Sequence, residues 1–214
     1  MKLIVINGSP RKEWNTAMLL EKVIEGAKSK GAKTELINLY DLDYKGCESC
    51  FLCKTKGSKY YGKCSVNDDL TNIFKRIERS DAIVLGSPIY FGTVSGEMKS
   101  FLERLLFPYL TYTTPPQSLF PKKIKTGFIY TMNIPEEYIK DSGYLMHINT
   151  NQRVLEMIFG YSESLFSFDT YQFQDYSKVV ADRFDVEEKT RKRKEVFPND
   201  CKKALDMGMR FAEK

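Results

Sequence analysis

The apolar run Leu3-Ile4-Val5-Ile6 breaks into a polar turn, Asn7-Gly8-Ser9-Pro10-Arg11-Lys12-Glu13-Trp14-Asn15-Thr16, and apolar residues return at helical spacing as Leu20, Val23, Ile24 and Ala27. No other stretch restricts the possible folds as strongly. It reads as a short strand, a turn, and a helix with one buried face. A strand that enters a helix through small, hydroxylic and basic residues forms an anion site, because the N–H groups at the helix start are unpaired and the helix dipole adds partial positive charge. Ser9 and Thr16 offer hydroxyls, Asn15 an amide, and Arg11 a guanidinium that can hold a phosphate through two hydrogen bonds. A phosphate ester is the expected ligand. A plainer reading stands beside it, in which Asn15 or Thr16 caps the helix and Arg11 faces water. The turn has no Gly-Lys-Ser/Thr ending and no G-x-G-x-x-G, so neither a P-loop nor a dinucleotide fingerprint is present.

A second turn of similar make adds weight to the ligand reading. Thr34 to Leu39 is expected as the second strand, followed by a cysteine-bearing loop at about 44–66. Asp68 is placed to cap a helix with Leu70, Ile73, Phe74 and Ile77 on its apolar face. Ala82 to Leu85 is a wholly apolar strand of the kind buried on both faces of a parallel sheet, and it leads into Gly86-Ser87-Pro88-Ile89-Tyr90-Phe91-Gly92. A helix from about Ser95 carries Met98, Phe101, Leu102 and Leu105 and is stopped by Pro108. Lys125 to Thr131 reads as a fourth strand and 162–173 as a fifth, with a helix through Val154, Leu155, Ile158 and Phe159 between them. A last helix starts near Pro198 or Asn199 and carries Cys201, Ala204, Leu205 and Gly208. Alternating strands and helices predict one α/β domain over residues 1–214, with a mainly parallel sheet. The spacing suits five strands in the flavodoxin-like order 2-1-3-4-5, in which ligand sits at the carboxyl ends of strands 1 and 3. Those are the two strands followed by Gly-Ser-Pro. Pro88 to Gly92 offers flat side chains and backbone N–H groups for an aromatic ring system such as a flavin, and Thr131, Met132 and Asn133 close the other side. Ordinary packing of Tyr90 and Phe91 is the competing reading.

Composition narrows the chemistry. Lys+Arg 33 against Asp+Glu 28 leaves +5, a mild excess that favours anionic cofactors without implying nucleic acid. No apolar run is long enough to span a membrane, and Lys2 followed by four apolar residues is not a signal-peptide pattern, so a cytoplasmic protein is expected. There a tight cysteine cluster binds metal or does redox chemistry rather than forming disulfides. A lone His147 argues against His-rich metal sites and against a serine or cysteine triad. Catalysis by a bound cofactor fits better.

Gly8-Ser9-Pro10-Arg11-Lys12 with Asn15-Thr16, the Cys47-x2-Cys50-x2-Cys53 loop, Asp68-Asp69, and Gly86-Ser87-Pro88-Ile89-Tyr90-Phe91-Gly92 with Ser95-Gly96 together resemble NAD(P)H-dependent FMN reductases of the flavodoxin-like superfamily. The cysteines look most like the iron-sulfur flavoprotein branch. The resemblance is strong over 1–105 and weak beyond, where Phe197-Pro198-x2-Cys201 is also familiar. It implies a flavodoxin-like three-layer sandwich that holds FMN phosphate at Ser9, Arg11, Asn15, Thr16 and Ala17 and the isoalloxazine at Pro88, Ile89, Tyr90, Phe91 and Gly92. It further implies hydride transfer from NAD(P)H as substrate to the flavin and onward reduction of a flavin, quinone, nitroaromatic or similar acceptor. The chemistry then lies on FMN and needs no side-chain nucleophile. Trp14 stands where such turns more often carry a small residue.

Cys47, Cys50, Cys53 and Cys64, separated by two, two and ten residues, could complete a four-iron four-sulfur cluster or a zinc site, or remain free thiols beside the flavin. The last gap is longer than the pattern of the iron-sulfur branch, which puts Cys64 in question as fourth ligand. Cys201 reads as core. Two alternatives to the reductase follow: an iron-sulfur flavoprotein electron carrier exchanging electrons with a ferredoxin-like partner, and a non-enzymatic zinc-binding interaction module. The run Lys189-Thr190-Arg191-Lys192-Arg193-Lys194 reads as a solvated helix face rather than a nucleic-acid site. Segment 108–124 reads as a lid or subunit contact, and Tyr109 and Tyr112, taken as exposed, make a homodimer the expected assembly.

Overall fold

The computed structural model describes residues 1–213. Its strands are β1 (Lys2–Asn7), β2 (Lys33–Asn38), β3 (Ala82–Tyr90), β4 (Thr93–Val94), β5 (Ile124–Thr131) and β6 (Gly160–Ser167). Its helices are α1 (Asn15–Ser29), α2 (Asp69–Glu78), α3 (Gly96–Leu106), α4 (Tyr144–Phe159), α5 (Val186–Glu195) and α6 (Phe197–Ala212). The parallel path runs β2-β1-β3-β5-β6, and β4 pairs antiparallel with the end of β3. The expected five strands in the order 2-1-3-4-5 are thus corrected to six, because the Phe91-Gly92 turn folds two residues back onto β3. Both of those turn residues have positive φ, 49° and 86°. The chain order still reverses between β1 and β3, which opens a crevice at their carboxyl ends.

The two-residue period of the strands divides the core into layers. Leu3 and Val5 of β1, with Ala82 and Val84 of β3, face α1 and α6. Ile4 and Ile6, with Ile83 and Leu85, face α2, α3 and α4. Leu19, Leu20, Val23 and Ala27 form the buried stripe of α1. Gly26 of α1 and Gly208 of α6 let these helices touch backbone to backbone: a Cβ on Gly26 would lie 2.0 Å from the Leu205 carbonyl oxygen, and one on Gly208 would lie 2.0 Å from that of Val23. Asp68 caps α2 as expected, with Oδ1 accepting from the Leu70 N–H at 3.1 Å and its own N–H donating to Thr71 Oγ1 at 3.0 Å. Such a cap is worth about 1 kcal/mol.

Several boundaries differ from the sequence reading, each for a long-range reason. β3 does not stop at Leu85, because Gly86, Ser87 and Pro88 continue the ladder opposite Ile129, Tyr130 and Thr131. The strand expected at 162–173 is β6, which starts at Gly160 and ends at Ser167; Asp169 adopts φ 48° and turns the chain away. Helix α1 begins at Asn15 after an N-cap at Trp14, so neither Asn15 nor Thr16 is the cap. α6 begins at Phe197, with Pro198 in its first turn. Tyr109 is buried against Phe120, its hydroxyl donating to Glu78 Oε1 at 2.9 Å, which leaves Tyr112 as the exposed ring of that pair. The run at 189–194 is helical as expected, but its first lysine is buried rather than solvated. No helix among the described residues is long and apolar enough to cross a membrane.

Candidate functional site

Three strand ends meet at the crevice, and hydrogen bonds lock their turns together. The Gly8 N–H donates to the Gly86 carbonyl at 2.8 Å, and Ser95 Oγ donates to the Gly8 carbonyl at 2.6 Å. Thr16 Oγ1 and Thr131 Oγ1 lie 2.7 Å apart, joining the first turn to the end of β5. Within the first turn Asn7 Oδ1 accepts from the Ser9 N–H at 3.0 Å, and Ser9 Oγ accepts from the Arg11 N–H at 3.1 Å. These bonds hold the turn open around the start of α1.

Ser9, Arg11, Asn15, Thr16, Pro88, Ile89, Tyr90, Thr131, Met132 and Asn133 all line one cleft there. Trp14, Thr170 and Gln172 line it too, and the sequence reading did not include them among cofactor contacts. Three residues of the expected set are not in the lining: Ala17 is buried under the turn, Phe91 is fully exposed, and Gly92 lies against Tyr144. Thr170 and Gln172 were missed because 162–173 was read as one strand; the chain after the true end of β6 is another strand-end loop, and such loops are the ones that meet a ligand in this topology.

The donor set fits a phosphate ester. Asn15, Thr16 and Ala17 are each at least nine-tenths buried, and α1 has no side-chain cap. No hydrogen-bond acceptor serves their N–H groups among the described residues. Buried N–H groups without partners are costly, and a helix start with such groups is a ready anion site. Free space in the cleft is only about 60 Å³, because side chains reach across it. Arg11 Nη1 donates to the Gln172 carbonyl at 2.5 Å, while Trp14 Nε1 and Asn15 Nδ2 donate to the Tyr171 carbonyl at 2.9 and 2.8 Å. Arg193 of α5 donates to Asn15 Oδ1 at 2.7 Å and stacks on the Phe197 ring, and burial lowers its pKa.

Beyond Met132 the cleft adjoins a cavity of about 610 Å³ that shares Ile89, Met132 and Asn133 with it. In that wall Lys189 donates to Asn133 Oδ1 and Asp169 Oδ1, and Lys192 reaches Asp169 Oδ2 at 2.5 Å. Burial alone would raise the Asp169 carboxyl, but hydrogen bonds and charge from the two lysines outweigh it and hold it below the usual 3.8. A carboxyl with a depressed folded-state pKa stabilises the fold above its unfolded pKa, and that contribution is lost as pH falls through the folded pKa. Asp169→Asn is therefore expected to lower the urea midpoint at pH 7, and the gap from the parent protein is expected to close progressively below about pH 4.

The cysteine loop forms a separate pocket. Cys47, Cys50, Cys53 and Cys64 line it together with Arg104. Among the described residues no three His, Cys, Asp or Glu side chains converge to hold a metal. Cys50 is exposed and its sulfur pairs with Ser65 Oγ, which lowers its pKa, whereas burial raises that of Cys53. Cys64 Sγ accepts from Arg104 Nε at 3.0 Å. Both contacts are ones that a metal-bound thiolate can also accept, and the four sulfurs share one pocket without being gathered around a common centre. Lys54 pins the loop to 107–110 by donating to the carbonyls of Phe107, Pro108 and Leu110. Cys201 packs against the α1 and α6 core, as expected.

Residues 1–124 match the NADPH-dependent FMN reductase family. The chain is 40% identical over 104 residues to an iron-sulfur flavoprotein of Methanocaldococcus jannaschii, covering 49% of this chain and 51% of that protein. It is 32% identical over 144 residues to an iron-sulfur flavoprotein of Clostridioides difficile, covering 62% and 61%. The chain spans about half the length of the archaeal relatives it matches. An NAD(P)H:quinone oxidoreductase from Methanothermobacter marburgensis superposes with a TM-score of 0.73 at 14% identity, covering 100% of this chain and 98% of that one. A flavodoxin from the domain Archaea superposes at 0.53 and 15% identity, covering 99% and 96%. At those identities the likeness speaks for the fold, which is flavodoxin-like.

Proposed function

The chain belongs to the NADPH-dependent FMN reductase family, and from that premise we propose that it binds FMN in the crevice between β1 and β3 and acts as an oxidoreductase passing reducing equivalents from NAD(P)H to a small acceptor such as a flavin, quinone or nitroaromatic. The observation that carries the proposal is the buried, uncapped start of α1, whose first N–H groups have no acceptor among the described residues and whose Asn15 and Thr16 line one cleft with Ser9 and Arg11. In this reading those residues hold the phosphate. Pro88, Ile89 and Tyr90 on one side and Thr131, Met132 and Asn133 on the other hold the ring. When bound, FMN would supply the hydride and electron transfer between a nicotinamide and the acceptor. The protein contributes binding, exclusion of water and hydrogen-bond donors at the ring edge. Phe91, fully exposed, and Gly92 are at most the outer rim of such a site.

Titration of the protein with FMN and with riboflavin tests this, with the fluorescence of Trp14, the single tryptophan, reporting occupancy of the cleft. FMN is expected to bind at least about a hundredfold more tightly than riboflavin. Arg11→Ala should weaken FMN about tenfold and leave riboflavin unchanged, since one hydrogen bond to a charged partner is worth about 1.5–3 kcal/mol. Equal affinity for the two compounds, or none for either, would remove the basis of the proposal. Anaerobic bleaching of the loaded protein by NADPH or NADH then separates a reductase from an electron carrier.

The electron-carrier reading draws support from the names of the relatives and from the four cysteines lining one pocket. Two of the four thiols, Cys50 and Cys64, are hydrogen-bonded to Ser65 and Arg104. Iron, sulfide and zinc assays on anaerobically purified protein decide it: four irons per chain favour the carrier, one zinc without flavin favours an interaction module, and flavin with neither metal favours the reductase.

A further inference from the structure

The charged run that composition presents as a solvated face places one lysine inside the protein. Lys189 is 4% exposed, against the strong tendency of lysine to stay in water. Its ammonium lies 5.3 Å from the Phe184 ring centre and donates to Asn133 Oδ1 and Asp169 Oδ1. Asp169, which receives it, has φ 48° and is held there by its N–H bond to the Ile134 carbonyl at 3.0 Å. A non-glycine residue in that region is strained, and such strain persists where the surroundings require it.

Two consequences follow for the cleft. Asn133 has one amide end taken: its oxygen accepts from Lys189, so its NH2 group is the end left to donate toward a ligand at the β5 strand end. The ammonium of Lys189 also sits directly behind the Asn133 amide, while Lys192, the second cation on Asp169, is met in turn by Glu188 at 3.6 Å. A donor backed by positive charge interacts more strongly with an anion than with a neutral ring. Resting on the FMN reading above, we propose that Lys189 is a positioning residue that orients and polarises Asn133, so that the site binds reduced, anionic flavin more tightly than oxidised flavin and makes bound FMN easier to reduce.

The test is the midpoint potential of the FMN-loaded protein, measured by dye equilibration, together with FMN affinity from Trp14 fluorescence. Lys189→Met is expected to change the affinity for oxidised FMN less than about threefold and to weaken that for reduced FMN about tenfold. For a two-electron couple this lowers the potential by about 30 mV. Lys189→Arg should retain most of the parent potential. Lys192→Met, which removes a lysine that does not touch Asn133, should produce less than half the shift. Should Lys189→Met fail to fold, Asn133→Leu is expected to lower the potential by a similar amount. A folded, FMN-loaded Lys189→Met with the parent potential, or an unshifted Asn133→Leu, overturns the proposal and leaves Lys189 as a structural ion-pair residue. If the parent protein binds no FMN, it is the cofactor reading that fails first, and this inference falls with it.

Discussion

Replacing Gly26 by alanine is expected to destabilise the protein by about 3 kcal/mol, toward the upper end for overpacking, and to lower Tm by about 6–12 °C for a chain of this size. In an isolated helix the same change is stabilising by about 1 kcal/mol, because glycine has more backbone entropy to lose. Here the sign reverses. The added Cβ would lie 2.0 Å from the Leu205 carbonyl oxygen, 2.9 Å from the Leu205 carbonyl carbon and 3.1 Å from the Met209 nitrogen. All three are backbone atoms of α6, so no rotamer change relieves the clash and the helices must separate. Gly208→Ala meets Val23 and Ala27 of α1 in the mirror arrangement and should behave alike. Because the first turn of α1 supplies the N–H groups of the proposed phosphate site, displacement of the helix should also weaken FMN binding. Glu21→Ala, on the exposed face of the same helix, is expected to change stability by less than about 0.5 kcal/mol. Thermal and urea denaturation of the three variants provides the comparison; a stabilised Gly26→Ala would mean that the helices do not touch there.

Arg104→Met is the second change with a large expected effect, about 3–5 kcal/mol, the range for breaking a buried ion pair from one side. Arg104 is 2% exposed. Its guanidinium grips Asp68 with both ends, at 2.9 and 3.2 Å, and also donates to the Lys45 carbonyl at 3.0 Å and to Cys64 Sγ at 3.0 Å. One side chain thus ties α3 to the cap of α2 and to both flanks of the cysteine loop. Methionine fills most of the volume but leaves the Asp68 carboxylate without its cation. Adding Asp68→Asn to Arg104→Met should recover part of the loss, because it removes the stranded charge, and a double-mutant cycle measures how much. Faster maleimide labelling of Cys64 in Arg104→Met would mark release of the loop. A single variant as stable as the parent would show that the pair contributes nothing net.

Much of the fold was legible along the chain because it rests on neighbours in sequence. The stripe Leu20, Val23 and Ala27, the Asp68 cap with its Thr71 partner, and the apolar run Ala82 to Leu85 each depend on residues a few positions apart. The two Gly-Ser-Pro turns were legible for the same reason, and ten of the expected cleft residues do line one cleft. What escaped detection depends on partners far away. Asn15 looked like a cap, yet its side chain is drawn to the Tyr171 carbonyl, 156 residues on. Ser87 and Pro88 looked like loop, yet β5 pairs with them as strand. Lys189 looked solvated because its neighbours are charged, and nothing local announces Asp169 and Asn133 as its partners.

Periodicity, turn chemistry and residue type were therefore enough to set the alternation of strands and helices and the anion-seeking character of the first turn, since these follow from backbone geometry within a few residues. Which strand ends share the crevice, where the loop after β6 lies, and which lysine is buried were decided by three-dimensional packing. Those outcomes depend on desolvation and on pairing between groups that only the folded core brings within hydrogen-bond reach.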